Sequence, residues 1–282
     1  MVKPNLFIVG VPRAGTTSIA EYLKQHPEVF MPEVNGPDFF GDVPNGSFPQ
    51  YFRNEKLYLS LFKKAKNEKY LGDASHLFCS VKAPKRIKKF NASSKIIIIL
   101  RSPLEIIGSF YNSNYLSNNL PLEEALKENT YNVKILNENL KYHRNLTNWI
   151  STFGRENVHI IIYEDLKKNV KKEFSKICKF LKIEDLSSSI DFIVHNKARE
   201  TKNRWLTWLI VHTPLRIRLF IKGFFSPEKL AEIKQFINKI TTKEEINKEI
   251  SADVSIELKK KYKKEVQKVS KFIKRDLTYW VR

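Results

Sequence analysis

Two rhythms of apolar and polar positions run along the chain, short solid apolar runs and longer stretches at helical spacing. Leu6 to Val9 is a short apolar run. A Gly/Pro-containing turn follows, and then "TTSIAEYLKQHP", in which Ile19, Tyr22 and Leu23 recur at helical spacing before Pro27 stops the element. The pattern predicts strand, loop, helix. Lys95 to Leu100, "KIIIIL", places four isoleucines in a row, which suits a central strand covered on both faces. Val158 to Tyr163, "VHIIIY", is a third strand and runs into "EDLKKNVKKEFSKICKFLKI", a single amphipathic helix by its spacing. Solid apolar strands separated by helical crossovers predict an α/β fold, a doubly wound and mainly parallel central sheet flanked by helices. Ile256 to Leu277 carries a further helical period.

Between these elements lie two segments that the pattern does not absorb. Pro32 to Tyr51 is a long polar loop rich in Pro, Gly, Asn and Asp, and loops of that length inside a compact domain are often functional. Trp205 to Phe225 is very apolar, but His212, Pro214, Arg216 and Arg218 interrupt it. It reads as a packed helix pair or a surface flap, able to line a lipidic site or touch a membrane peripherally, and it is too interrupted to span one. No internal repeat is visible, and the whole length reads as one domain, 1–282.

Composition adds a partner class and a compartment. The chain of 282 residues has 50 Lys+Arg against 30 Asp+Glu, a formal charge of +20. Such an excess fits nucleic acid, a membrane surface, an anionic cofactor or an anionic substrate, or lysines that simply line solvated helix faces, and charge alone does not choose among them. The lysines are dispersed, as in "KEEINKEIS", whereas a nucleic-acid protein gathers its basic residues on one face with aromatics between them. No nucleic-acid role is expected. Two cysteines, Cys79 and Cys178, form no disulfide framework and cannot build a zinc site from thiolates alone; with no leader pattern at the start, a cytoplasmic setting is the expectation.

The segment with the most specific chemistry is "FIVGVPRAGTTS", Phe7 to Ser18, at the first strand-to-helix turn. Gly10 and Gly15 permit a tight turn, and the helix opening near Thr16 presents unpaired amides and the positive end of its dipole, a seat for an anion. The segment approaches the pattern G-x-x-x-x-G-K-[ST], but Thr16 stands where the lysine belongs, and the cation has moved to Arg13. The second segment is "LRSPLEIIGSFY": Arg101 follows a buried strand, Pro103 opens a helix, and Ser109 lies two turns along it. Ligands of open α/β sheets bind beyond the carboxyl ends of strands, so Arg101 and Ser109 could close on a second phosphate, the arginine bidentately. The pair of segments describes a ligand with two separated anionic groups. A kinase or nucleotide hydrolase would need the missing lysine.

These residues resemble the sulfotransferases that use 3'-phosphoadenosine 5'-phosphosulfate, in particular the bacterial and heparan-type branch. "VGVPRAGTTSIAEYLKQHPEVFMPEV" is similar to the family's phosphosulfate loop and helix, "LRSPLEIIGSFY" to its 3'-phosphate element, and "YLGDASHLF" to the strand between them. "IIIYEDLKKNVKKEFSKICKFLKI" and "KFIKRDLTYW" resemble its late strand and helix and its closing segment. The resemblance implies a P-loop NTPase-like fold and metal-free transfer of a sulfuryl group from that donor to a hydroxyl or amine of a small-molecule or glycan acceptor, a carbohydrate or glycolipid. It implies that Arg13, Ala14, Gly15, Thr16, Thr17 and Ser18 hold the phosphosulfate, with Arg13 also at the sulfonate in place of the family's lysine, and that Arg101 and Ser109 hold the 3'-phosphate.

One departure stands out. Relatives carry Lys-Glu before a Phe-Phe pair, the glutamate serving as base, whereas "EVNGPDFF" puts Asn35 and Gly36 there. Asp38, Glu33 and His76 are the replacement candidates, and a catalytically impaired homologue that only binds the nucleotide is the alternative. The resemblance further suggests a basic closing loop at Lys197, Arg199, Lys202 and Arg204, and a helix bearing Tyr142, His143 and Trp149 beside the acceptor cleft or, by its spacing, in the core. His195 lies in no metal-ligand spacing.

Overall fold

The structure, a computed structural model, describes residues 3–43, 51–113, 115–116, 120–193, 199–201, 242–244 and 250–282. Five strands form one all-parallel sheet: β1 (Leu6–Ile8), β2 (Val29–Phe30), β3 (Tyr70–Ala74), β4 (Lys95–Leu100) and β5 (Val158–Ile162), in the order β2-β3-β1-β4-β5. The isoleucine run sits where its composition requires. Ile96 to Leu100 have no solvent exposure, with β1 on one side and β5 on the other. Each such side chain contributes about 1.5–3 kcal/mol of burial, enough to fix this strand as the axis of the core.

The helices in chain order are α1 (Thr16–Lys24), α2 (Glu55–Ser60), α3 (Ala83–Phe90), α4 (Pro103–Asn112), α5 (Leu122–Ala125), α6 (Tyr131–Asn139), α7 (Tyr142–Phe153), α8 (Tyr163–Lys168) and α9 (Val170–Leu181), followed by the C-terminal helix Ala252–Ile273. The chain runs from β1 to the β2 and β3 side, then crosses β1 to β4 and β5. That reversal puts a topological switch point between β1 and β4, where a doubly wound sheet offers its binding crevice. An antiparallel pair, Arg199–Thr201 with Thr242–Glu244, lies outside the sheet.

Two details differ from the sequence reading. The helix expected after the last strand is two helices, because the Asn169 carboxamide accepts the Lys172 amide at 3.0 Å and starts α9 afresh. The C-terminal helix begins four residues earlier than its apolar period, because the Ser251 hydroxyl caps it by accepting the Val254 amide at 3.4 Å. Tyr142 and Trp149 are fully buried and belong to the core, as their helical spacing indicates: the indole donates to the Phe78 carbonyl at 3.0 Å and the Tyr142 hydroxyl to the Arg101 carbonyl at 2.8 Å. The apolar segment Trp205 to Phe225, the side chains of the basic run Lys197 to Arg204, and His195 lie outside the described residues. Among the described residues no helix is long and apolar enough to cross a membrane.

Candidate active site

The turn after β1 is stitched to both neighbouring strands before it reaches its helix. The Val11 amide donates to the Ile99 carbonyl and the Ile99 amide to the Gly10 carbonyl, each at 2.8 Å, while the Val9 carbonyl accepts the amides of Leu77 and Phe78. Gly10 adopts φ +130°, where a Cβ would meet the Phe78 Cβ at 3.0 Å, so only glycine fits. Gly15 precedes α1 in the left-handed region, and no side chain caps this helix. Its first amides, left without a side-chain cap, stand at the positive end of the helix dipole, with Thr16, Thr17 and Ser18 in its first turn.

Arg13 is the strained residue of the turn, with φ +65°. A left-handed non-glycine residue costs about 1–2 kcal/mol, which is held in place from two directions. The Arg13 Nε donates to the Ser109 hydroxyl at 2.9 Å, and the Arg13 carbonyl accepts Nη1 of Arg101 at 2.7 Å. The guanidinium of Arg101 thus points at the glycine turn. Glu105, one turn along α4, orients it by accepting its Nε at 2.8 Å, and the cation lies 4.4 Å from the centroid of the Tyr163 ring. Tyr163 was not singled out from the sequence. Its signal was positional, the first residue beyond the carboxyl end of β5, where the ligand rule for open sheets applies as it did to Arg101.

The three base candidates separate in space. Glu33 turns to solvent, 82% exposed, and pairs with Lys24 at 2.8 Å. Asp38 and His76 come together: a carboxylate oxygen of Asp38 accepts the His76 amide at 3.0 Å. Desolvation by the neighbouring chain pulls the His76 imidazole pKa below its ordinary value, Asp38 opposes the shift, and the Arg13 guanidinium adds to it. The imidazole is thereby kept neutral and can accept a proton, a step that Asp38 favours and the Arg13 cation opposes. Where Asn35 and Gly36 replace Lys-Glu, Asn35 donates its carboxamide N–H to the Thr17 hydroxyl at 3.3 Å, binding this loop to the start of α1.

The loop carrying Asp38 is anchored on aromatic packing. Phe39 stacks on Tyr58 at 4.4 Å, and Phe40 meets Phe7 edge-on at 5.6 Å. Nη1 of Arg86 donates to the carbonyls of Phe40 and Gly41 and to Asp42. Under the loop lies Asp73, fully buried at the end of β3, which accepts the hydroxyls of Tyr58 at 2.7 Å and Ser75 at 2.5 Å. Burial raises its pKa from 3.8 to about 6, against the pull of those two hydroxyls. A carboxyl raised in the fold binds protons more tightly folded than unfolded, so its ionisation weakens the fold as pH rises through that interval. Relative to the parent, Asp73→Asn is expected to gain about 3 kcal/mol of stability between pH 4 and pH 7. Denaturant titrations at both pH values check this, and a pH-independent difference would contradict it.

Among the described residues no group of His, Cys, Asp and Glu could hold a metal ion. The charges that converge on the turn are arginines, backbone amides and hydroxyls, a set suited to phosphate and sulfonate oxygens.

The profile of the "Sulfotransferase domain" family matches residues 3–222. Curated relatives include the bifunctional heparan sulfate N-deacetylase/N-sulfotransferase 1 of Caenorhabditis elegans, 24% identical over 189 residues, covering 63% of this chain and 22% of that protein. Sulfotransferase 2A6 of Mus musculus is 26% identical over 186 residues, covering 63% and 59%. Heparan sulfate glucosamine 3-O-sulfotransferase 5 of Homo sapiens is 25% identical over 191 residues, covering 64% and 54%. The chain therefore spans less than two thirds of each of these relatives. A sulfotransferase crystal structure from Alicyclobacillus acidocaldarius superposes with TM-score 0.68 at 20% identity over 100% of both chains, a likeness of fold. A family match across most of the chain places this protein in the sulfotransferase domain family.

Proposed function

We propose that the protein transfers a sulfuryl group from 3'-phosphoadenosine 5'-phosphosulfate to a carbohydrate or glycolipid hydroxyl, or to an amine, as a single domain over 1–282. The observation that carries this reading is the meeting of Arg13, Arg101 and Ser109 at the tips of the paired strands β1 and β4, with the uncapped start of α1 in the same turn. Two anion seats joined in this way suit a nucleotide charged at both its 3' and 5' positions. Heparan sulfate enzymes among the relatives support the glycan class of acceptor.

When bound, the donor supplies an activated sulfuryl group with a nucleotide leaving group. The chain's own residues do the rest. The amides and hydroxyls of Gly15, Thr16, Thr17 and Ser18, together with Ala14, hold the 5' end. Arg101 and Ser109 hold the 3' end. Arg13 offers a fixed cation where negative charge grows on the transferring and leaving oxygens, and preorganised charge of this kind is commonly the largest single source of rate. His76, poised as a neutral imidazole, takes the proton of the acceptor group, and the negative charge of Asp38, which holds the His76 backbone amide, favours the imidazolium that forms. Glu33, turned away toward Lys24, has no part in this scheme.

The second reading, a nucleotide-binding homologue impaired in catalysis, is favoured by one observation, Asn35 and Gly36 where relatives hold Lys-Glu. Incubation with sulfur-labelled donor and a set of unsulfated glycans separates the two. Label passing into glycan is the expected result. Tight nucleotide binding with no label in any glycan, amine or phenol acceptor would favour the impaired homologue.

A further inference from the structure

The carboxyl of Asp73 is an unusual possession for the floor of a site. It has no solvent exposure, and an ionised group in such a place is retained against the fold's interest unless something depends on it. Both of its neighbours donate to it, Tyr58 from α2 at 2.7 Å and Ser75 at 2.5 Å. A carboxylate accepts only, so the Ser75 proton is committed to Asp73 and the oxygen's lone pairs face the other way. There the Ser75 hydroxyl accepts the Asp38 amide at 3.0 Å. Asp38 itself sits at φ +49°, a left-handed conformation that persists only where surrounding contacts over-determine it, and its carboxylate holds the His76 amide. One chain of hydrogen bonds runs from α2 through β3 to the Asp38 loop and His76.

We propose that Asp73 is a positioning residue that, through the Ser75 hydroxyl, holds the Asp38 carboxylate against His76. This deepens the reading of Asp38 and His76 as the proton-handling groups and rests on it. A merely structural Asp73 would need only the Tyr58 bond, which ties α2 to the sheet. The Ser75 bond reaches further, because its second partner is the backbone of the residue that carries the site's carboxylate. The groups that bear on Asp73 are Tyr58 from α2, Ser75 from the end of its own strand, and the Asp38 carboxylate from the loop; His76 and, next to it, Arg13 lie beyond Asp38. Protonation of Asp73 removes one of its acceptor positions and frees the Ser75 hydroxyl to turn, so the link loosens as pH falls below about 6.

The test follows the His76 imidazole by NMR in the full-length chain labelled at histidine, and it needs no acceptor. Asp38 raises the His76 pKa, so Asp38→Asn is expected to lower it. Ser75→Ala changes no charge, yet it is expected to lower the His76 pKa in the same direction and more than half as far, and Ser75→Thr, which keeps the hydroxyl, is expected to restore the parent titration. Binding of adenosine 3',5'-bisphosphate, unchanged within about twofold, confirms that each variant is folded. If Asp38→Asn lowers the His76 pKa and Ser75→Ala leaves it at the parent value, the positioning role of Asp73 is overturned while the site reading stands. If Asp38→Asn itself leaves His76 unmoved, the pairing on which the site reading depends is absent and both fall.

Discussion

Arg13→Ala is expected to lower single-turnover transfer about 10³-fold while leaving the fold and most nucleotide affinity in place. The magnitude is that of removing one fixed charge or donor from the point where transition-state charge develops, about 10²–10³ or more. The selectivity comes from the geometry. Arg101 reaches the turn through the Arg13 carbonyl, which alanine keeps, so the 3' seat survives. What goes is the guanidinium and its bond to Ser109. Arg13→Lys restores the charge without the planar fork and should recover part of the rate. Rapid-quench measurement with labelled donor reads this directly, and near-parent turnover in Arg13→Ala would remove Arg13 from the chemistry.

His76→Ala is expected to give the second large loss, about 10²–10⁴ in kcat, the range for a missing general base. Nucleotide affinity should change far less than kcat, because His76 bears on the anion seats only through the Arg13 guanidinium, which stays in place. The pH profile sharpens the point. Desolvation and Arg13 hold the imidazole pKa below the ordinary histidine value, so the neutral base persists through neutral pH and the acid limb of kcat lies below that ordinary value. Asp38→Asn should cost less than His76→Ala, since it removes a partner and not the proton acceptor. The reverse order would make the carboxylate the base.

The parts of the site that could be read from the chain are those in which one short segment states a whole local physics. The isoleucine run of β4 could only be a two-sided strand, and it delivered Arg101 to the carboxyl edge of the sheet. The turn after β1 carried its glycines, cation and hydroxyls in order. What escaped was chemistry assembled across distance. Asp73 interrupts a five-residue strand with a charge that looks like a turn residue, and only packing shows that it is buried beneath Tyr58, which comes from a helix of six residues. Tyr163 looked like the last residue of a strand and is instead the first of a helix. Nothing within "EVNGPDFF" distinguishes Glu33 from Asp38; the partners do, Lys24 for one and His76 for the other.

Calorimetry of adenosine 3',5'-bisphosphate against adenosine 5'-monophosphate, on the parent and on Arg101→Ala, probes the joined anion seats most directly. The parent should prefer the bisphosphate, and Arg101→Ala should lose about tenfold or more for the bisphosphate with little change for the monophosphate. Equal losses for both nucleotides, or a parent indifferent to the 3'-phosphate, would contradict the assignment of these two strand tips to the two ends of one nucleotide.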